Sequence, residues 1–423
     1  MEKYIIKGGR KLEGNVRISG SKNASLPIIA ATILNNSKST LYNVPDIHDT
    51  QMMFEILKEL GAKVEIKKNK VLIDSSKINK FDIPENLMRQ MRSSVILAGS
   101  LIGRYKNATF SYPGGCDIGS RPIDLHLKGF EKLGVFIKKE HGNINCKTER
   151  IIGEKIDLDF PSVGATENII LASVLAEGQT IISNAAREPE IVDLQKFLNK
   201  MGAKVKGAGS NQIIIDGVKA LKEVSYNIMP DRIEAGTLLC AAAITGGNIS
   251  LENVNPEHIT PVLSKLEEAN CKIKVEKNKI EINAVKKLKA LEIKTMPYPG
   301  FPTDLQSLFV STLTIAKGTS LMVENIFENR YKFVPELIRM GAKITIEGKS
   351  AIIKGVRKIY GANVKATDLR GGAALVLAGL GAKGITCVEN IEYILRGYEQ
   401  FDKKLRLLGA DINIKSWYKN VSA

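Results

Sequence analysis

Apolar residues follow two periods along this chain, and the two alternate. Met53, Ile56, Leu57 and Leu60 recur at intervals of 3, 4 and 7, which predicts an amphipathic helix. Residues 233–244 are apolar on nearly every side and are closed by Gly246, which predicts a helix buried all round. Short strands are expected at 15–19, 40–43, 248–253 and 320–325, and a hairpin at 64–66 with 71–73. Gly61 stands where a left-handed helix cap is wanted.

This series recurs. A helix ending in a small motif and running into a lysine-rich hairpin is found six times, centred on Gly61, Gly134, Gly202, Asn270, Gly341 and Gly409, at spacings of 68 to 73 residues. So long and regular a period is an architectural signal. The fold class expected is α/β, with six repeats of a βαβαββ-type unit. The last repeat lacks a strand, while Ile352-Ile-Lys-Gly355 matches Ile5-Ile-Lys-Gly8 at an offset of 347. The first ~20 residues are therefore expected to close the sixth repeat. Six repeats divide most simply into two domains of three, 22–229 and 230–423 plus 1–21, with a cleft between them.

Composition narrows the class. Apolar residues are 44% and charged residues 25% of 423, ordinary for a soluble globular chain. No signal peptide pattern opens the sequence, and no apolar stretch is long enough to span a bilayer. Five cysteines without metal-type pairing point to free thiols in a reducing cytoplasm. The formal charge of +16 raises nucleic-acid binding, yet the lysines are scattered through hairpins and aromatics are only 6%. Basic and stacking residues do not alternate, so no nucleic-acid partner is expected. A basic surface still attracts anionic small molecules.

The candidate chemistry lies where repeats are compared. At the starts of the buried helices stand Lys22-Asn23, Arg92, Ser162-Val163-Gly164, Asp231-Arg232, Thr303-Asp304 and Asp368-Leu369-Arg370. A helix start favours Asp or Glu, so Lys22, Arg92 and Arg370 run against local preference, in register. Ordinary capping covers Ser162, Thr303 and Asp368 but not the cations. A convergent anion site covers both.

From strand end to motif is 16 to 19 residues in five repeats and 23 in the second. The extra residues fall in Tyr112-Pro-Gly-Gly-Cys116-Asp-Ile-Gly-Ser-Arg121-Pro122-Ile123-Asp124, a glycine-rich candidate lid. Cys116 is flanked there by Gly and Asp, with Arg121 near to tune its acidity, whereas Cys240 in an apolar helix reads as core. His126 reads as a helix-face residue, and the four histidines show no metal spacing.

At these residues the chain resembles the enolpyruvyl transferases that act on UDP-N-acetylglucosamine. The resemblance runs end to end and is carried by 19–24, 113–126, 161–167, 230–236, 301–306, 327–330, 368–370 and 394–398. It implies two inside-out α/β barrel domains with the active site in the cleft. It implies transfer of the enolpyruvyl group of phosphoenolpyruvate to the nucleotide-sugar 3′-hydroxyl, with release of phosphate, in the first committed step of peptidoglycan synthesis. No metal or organic cofactor is implied. Cys116 is implied as the acid and the site of a covalent adduct, and Asp304 as the base. Lys22, Asn23, Arg121 and Arg396 would hold phosphoenolpyruvate. Arg92, Arg121, Pro122, Ile123, Asp124, Leu125, Ser162, Val163, Gly164, Asp304 and Ile326 would hold the nucleotide sugar, with Asp368 and Arg370 in support. Gly371-Gly372 departs from a commoner Ala-Ser pair, Ser21 stands for a commoner Ala, and Ser307-Leu308 also departs. The alternatives are a 5-enolpyruvylshikimate 3-phosphate synthase-like transferase, which would not use the cysteine, and a non-catalytic polyanion-binding repeat protein.

Overall fold

The computed structural model describes residues 2–112, 123–284 and 287–416. Its chain divides into two compact units. One holds 2–19 with the described residues from 230 onward, and the other holds 20–112 with 123–229. Each has its own hydrophobic core.

Within each unit the three near-continuously apolar runs are helices buried on all sides. They are Lys22–Ala31, Ile96–Tyr105 and Val163–Ser173 in one, and Arg232–Thr245, Gln306–Leu313 and Leu369–Gly381 in the other. Without a polar face, each has apolar surface to bury in every direction. Amphipathic helices such as His48–Glu59 and Pro189–Lys200 bury one stripe only. Hairpins supply the rest, giving among the described residues five four-stranded sheets and one three-stranded sheet.

The opening strands are distributed differently from the simple repeat. Glu2–Lys7 pairs antiparallel with Ile385–Glu389 and Asp411–Ser416, so it closes the sixth repeat as expected. Glu13–Arg17 does not. It lies parallel to Asn248–Glu252, in the sheet of the fourth repeat. Reciprocally, Val224–Asn227, which precedes the fourth repeat's buried helix, lies parallel to Lys38–Tyr42 of the first. Each strand is thus captured by the unit the chain is leaving, because pairing there buries Val16 and Val224 against an existing sheet.

An asparagine directly after the strand that follows a buried helix has a job the sequence pattern did not disclose. Asn43, Asn184, Asn253 and Asn390 all adopt φ between 52° and 58°. Asparagine tolerates that left-handed conformation better than most residues. Their side-chain amides donate to Ile228, Leu158, Ile18 and Ala366 carbonyls, at 2.9, 2.8, 2.8 and 3.4 Å. Each of those carbonyls lies just before a buried helix, so the asparagine clasps the segment that presents the helix start. At Gly20 an added Cβ would lie 1.7 Å from the Asn43 carbonyl oxygen, so only glycine fits.

Candidate active site

In the first-described core of buried helices, Ser21 caps the Lys22–Ala31 helix by accepting from the Ala24 N–H at 3.2 Å. Lys22 and Asn23 therefore open its first turn. Lys22 Nζ stands 2.9 Å from Asp49 Oδ2, and Asp49 is buried at the start of the next helix. Ser162 caps the Val163–Ser173 helix in the same way, at 3.4 Å from the Ala165 N–H.

Three segments of this unit meet through two buried polar side chains. Arg92 opens a 3-10 turn that leads into the Ile96–Tyr105 helix. Asp124 and Leu125 begin the Asp124–Lys132 helix, with Ile123 buried before it. Val163 and Gly164 begin the third. His126 follows Leu125, and its ring edge stands 3.2 Å from where a Cβ on Gly164 would be. Asn168 donates to His126 Nδ1 at 2.7 Å and to the Val95 carbonyl at 3.0 Å. Burial, with Arg92 adding to it, pushes the His126 imidazole down to about 4.

In the other unit, Asp304 sits in the Thr303–Leu305 turn and receives two guanidinium groups. Arg330 Nη2 donates to Oδ1 at 2.6 Å and Arg370 Nη2 to Oδ2 at 3.2 Å. Asp304 keeps 28% of its side chain exposed while Arg330 keeps 3%. The carboxylate is thus held from behind and presented in front. Asp368 caps the Leu369–Gly381 helix by accepting from the Arg370 and Gly371 N–H groups, which sets where Arg370 starts. The Arg370 guanidinium also lies 5.2 Å over the Tyr398 ring. Arg396 ends the short Glu392–Leu395 helix, and its neighbour Gly397 packs against Leu369.

Thr303 is not the cap its type suggested. Its hydroxyl donates to the buried Glu324 carboxylate, at 3.0 and 2.9 Å to the two oxygens. Glu324 also accepts from Thr295 and from the Ile326 and Phe327 N–H groups. Donors from three segments thus share one buried carboxylate, which leaves the Thr303 hydroxyl no local capping role. Glu324 thereby places both Asp304 and Ile326.

Cys116, Arg121 and Pro122 lie outside the described residues. The other four cysteines are buried free thiols. Burial pushes Cys146 up to about 12 and Cys271 up to about 11, which suits core residues and not nucleophiles. Among the described residues no His, Cys, Asp and Glu group could hold a metal ion, and no helix is long and apolar enough to cross a membrane.

Arg330, Glu324 and Asn168 carry no role in the sequence reading. Arg330 lies in 327–330, one of the segments that carry the resemblance, and Glu324 immediately precedes a strand-end asparagine, so both have a faint signal. Asn168 had none, lying beside an apolar run.

Comparison with known proteins decides the family. The sequence model of EPSP synthase (3-phosphoshikimate 1-carboxyvinyltransferase) matches residues 6–405. The chain is 55% identical to UDP-N-acetylglucosamine 1-carboxyvinyltransferase 2 of Caldanaerobacter subterraneus, over 97% of this chain and 99% of that one. It belongs to the UDP-N-acetylglucosamine 1-carboxyvinyltransferases. It is 53% identical, over 97% of this chain and 99% of that one, to the carboxyvinyltransferase numbered 2 in Carboxydothermus hydrogenoformans. Identity to the copies numbered 1 is lower in each organism, 51% and 50%. Among solved structures the enolpyruvyl transferase NikO of Streptomyces tendae has the same fold, with TM-score 0.88 at 24% identity, covering 98% of this chain and 99% of that one. That likeness extends the two-domain α/β architecture to the carboxyvinyltransferase chain described here.

Proposed function

We propose that this chain transfers the enolpyruvyl group of phosphoenolpyruvate to the 3′-hydroxyl of UDP-N-acetylglucosamine, releasing phosphate, as the first committed step of peptidoglycan synthesis. The observation that carries the reading is the 55% identity to a carboxyvinyltransferase of that name across 97% of the chain.

The reaction explains the residue types. The vinyl carbon of phosphoenolpyruvate becomes electrophilic when its methylene is protonated, and Cys116 supplies that proton. The sugar oxygen then bonds to the carbon while Asp304 accepts the hydroxyl proton. The resulting tetrahedral adduct returns a methyl proton to the Cys116 thiolate left by the first step, the bond to the phosphate oxygen breaks, and the double bond returns as phosphate leaves. The Cys116 thiolate can alternatively add to the same carbon, which accounts for a covalent adduct. Lys22, Arg121 and Arg396 meet the phosphate and carboxylate charges, and Asn23 adds a neutral donor.

Arg92, Arg121 to Leu125, Ser162 to Gly164, Asp304 and Ile326 meet the nucleotide sugar. Asp368 and Arg370 hold the base. Support for Asp304 comes from its two guanidinium donors, which fix the carboxylate while leaving part of it exposed. The protein acts in the cytoplasm, with small-molecule partners only.

The description of the matching family names a different acceptor, 3-phosphoshikimate. The test is therefore phosphate release from phosphoenolpyruvate with each acceptor, for wild type and Cys116→Ala. Release with the nucleotide sugar alone, abolished in the variant, is expected. Release with shikimate 3-phosphate alone would overturn the acceptor, and full activity of Cys116→Ala would overturn the acid.

A further inference from the structure

Asn168 is fully buried on the Val163–Ser173 helix, where Thr166, Glu167 and Ser173 are the other buried polar residues. A buried amide carries a desolvation cost unless its donors and acceptor are used, and here all of them are. Oδ1 accepts from the Gly99 N–H at 2.9 Å. Nδ2 donates to the Val95 carbonyl at 3.0 Å and to His126 Nδ1 at 2.7 Å. Because Gly99 can only donate, the amide orientation is determined. Because Nδ2 can only donate, His126 Nδ1 must be the unprotonated nitrogen, and the ring proton resides on Nε2.

Three elements are tied by this one side chain. Val95 and Gly99 frame the first turn that follows Arg92. His126 follows Asp124 and Leu125. Asn168 itself lies one turn beyond Ser162, Val163 and Gly164. The fit is close: a Cβ on Gly99 would lie 2.4 and 2.5 Å from the Asn168 carbonyl oxygen and Oδ1, so the helices approach to a distance only glycine allows. The His126 ring then stands with Nε2 3.5 Å from the Cβ position of Gly164, beside the first turn of the third element.

We infer that Asn168 is a positioning residue for nucleotide-sugar binding: it sets the relative placement of the Arg92, Asp124–Leu125 and Ser162–Gly164 segments and holds His126 as the Nε2–H tautomer beside Gly164. This inference rests on the assignment of those segments to UDP-N-acetylglucosamine. The depressed basicity of His126 agrees with it, since a neutral ring is what an amide donor at Nδ1 requires.

Two readouts separate positioning from a merely structural role. In the first, calorimetry gives the Kd of UDP-N-acetylglucosamine for wild type and Asn168→Leu, alongside steady-state kinetics and thermal unfolding. Expected is a Kd and KM for the nucleotide sugar raised about tenfold or more, with kcat at saturation within about threefold. A folded Asn168→Leu protein with wild-type Kd and KM, or one in which only kcat falls, overturns the inference. Should Asn168→Leu fail to fold, Gly99→Ala displaces the amide without removing it, and the same rise in Kd is expected.

The second readout needs no change at Asn168. Nitrogen-15 shifts of the His126 ring at pH 7, assigned by loss of the signal in His126→Gln, should show Nδ1 unprotonated and Nε2 protonated. A protonated Nδ1 or a mixture of tautomers overturns it. Wild type that binds the nucleotide sugar yet releases no phosphate would refute the proposed reaction while leaving this inference standing.

Discussion

Arg330 Nη2 lies 2.6 Å from Asp304 Oδ1, and Arg370 Nη2 lies 3.2 Å from the other oxygen of the same carboxylate. Two guanidinium groups from separate repeats thus hold one acid from the side away from solvent. A carboxylate held this way cannot rotate to follow a mobile hydroxyl, so its direction is set before any substrate arrives.

If Asp304 takes the hydroxyl proton, Asp304→Asn should lower kcat by about 10² to 10⁴, the usual worth of a positioned base. Arg330→Lys keeps the charge but loses the planar fork, and should cost kcat roughly 10-fold to 100-fold with KM values within about threefold. Steady-state phosphate release measures both. An Arg330→Lys enzyme with unchanged kcat would mean that Arg370 alone suffices.

Glu234 is buried and pairs with Lys404, while its second oxygen accepts from the Ser19 N–H at 2.8 Å. Burial raises its proton affinity, and Lys404 works against that. Lys404→Met removes the compensating charge and should destabilise the protein by about 3–5 kcal/mol, whereas Lys404→Met with Glu234→Leu should recover most of the loss. Urea unfolding followed by circular dichroism distinguishes the two. Equal loss in single and double variants would show that packing, not charge, governs this position.

Acid should act on one unit through two groups of opposite sign. His126 has an ordinary value of 6.5 and a folded value of about 4. Its contribution is complete above pH 6.5 and is lost as pH falls through 4, up to about 3 kcal/mol. Asp193 is pushed the other way, from 3.8 to about 6, chiefly by burial. Its contribution is complete below pH 3.8 and is lost as pH rises through 6, by a similar ~3 kcal/mol. Wild-type stability between pH 4 and 6 should therefore vary little from this pair. Asp193→Asn should unmask a fall toward acid, and His126→Gln a gain toward acid. Parallel slopes in the two variants would refute the assignment.

Asp368 accepts from the Arg370 and Gly371 N–H groups at 3.0 and 2.9 Å, satisfying two otherwise unpaired donors. Asp368→Ala should cost about 1–2 kcal/mol of stability. Because the same cap sets Arg370, kcat should fall as well. Asp368→Asn, which still accepts, should restore both in thermal unfolding and turnover assays.

Gly371 and Gly372 have a local reason in the packing. A Cβ on Gly371 would meet Asp368 Oδ2 at 2.6 Å and Phe333 Cβ at 2.9 Å. One on Gly372 would meet Ala366 and Ile394 side chains, both at 2.8 Å. The helix start has settled closer to its neighbours than larger residues would allow.

What the linear sequence determined was periodicity. Helix and strand types follow from 3.6 and 2 residue patterns, and a pattern repeated six times requires six like units whatever their neighbours. The Ser162 and Asp368 caps were legible for the same reason, since a cap bonds within three residues of itself. Tertiary structure decided whatever depends on residues far apart in the chain. Glu13–Arg17 joins the fourth repeat's sheet because a strand's partner is set by which edge is open, not by its own pattern. Thr303 turns from cap to donor because Glu324 arrives from 21 residues away. Asn168 finds Val95 and His126 across 73 and 42 residues. Buried polar groups must be satisfied wherever the fold brings a partner, and no local rule in the sequence names that partner in advance.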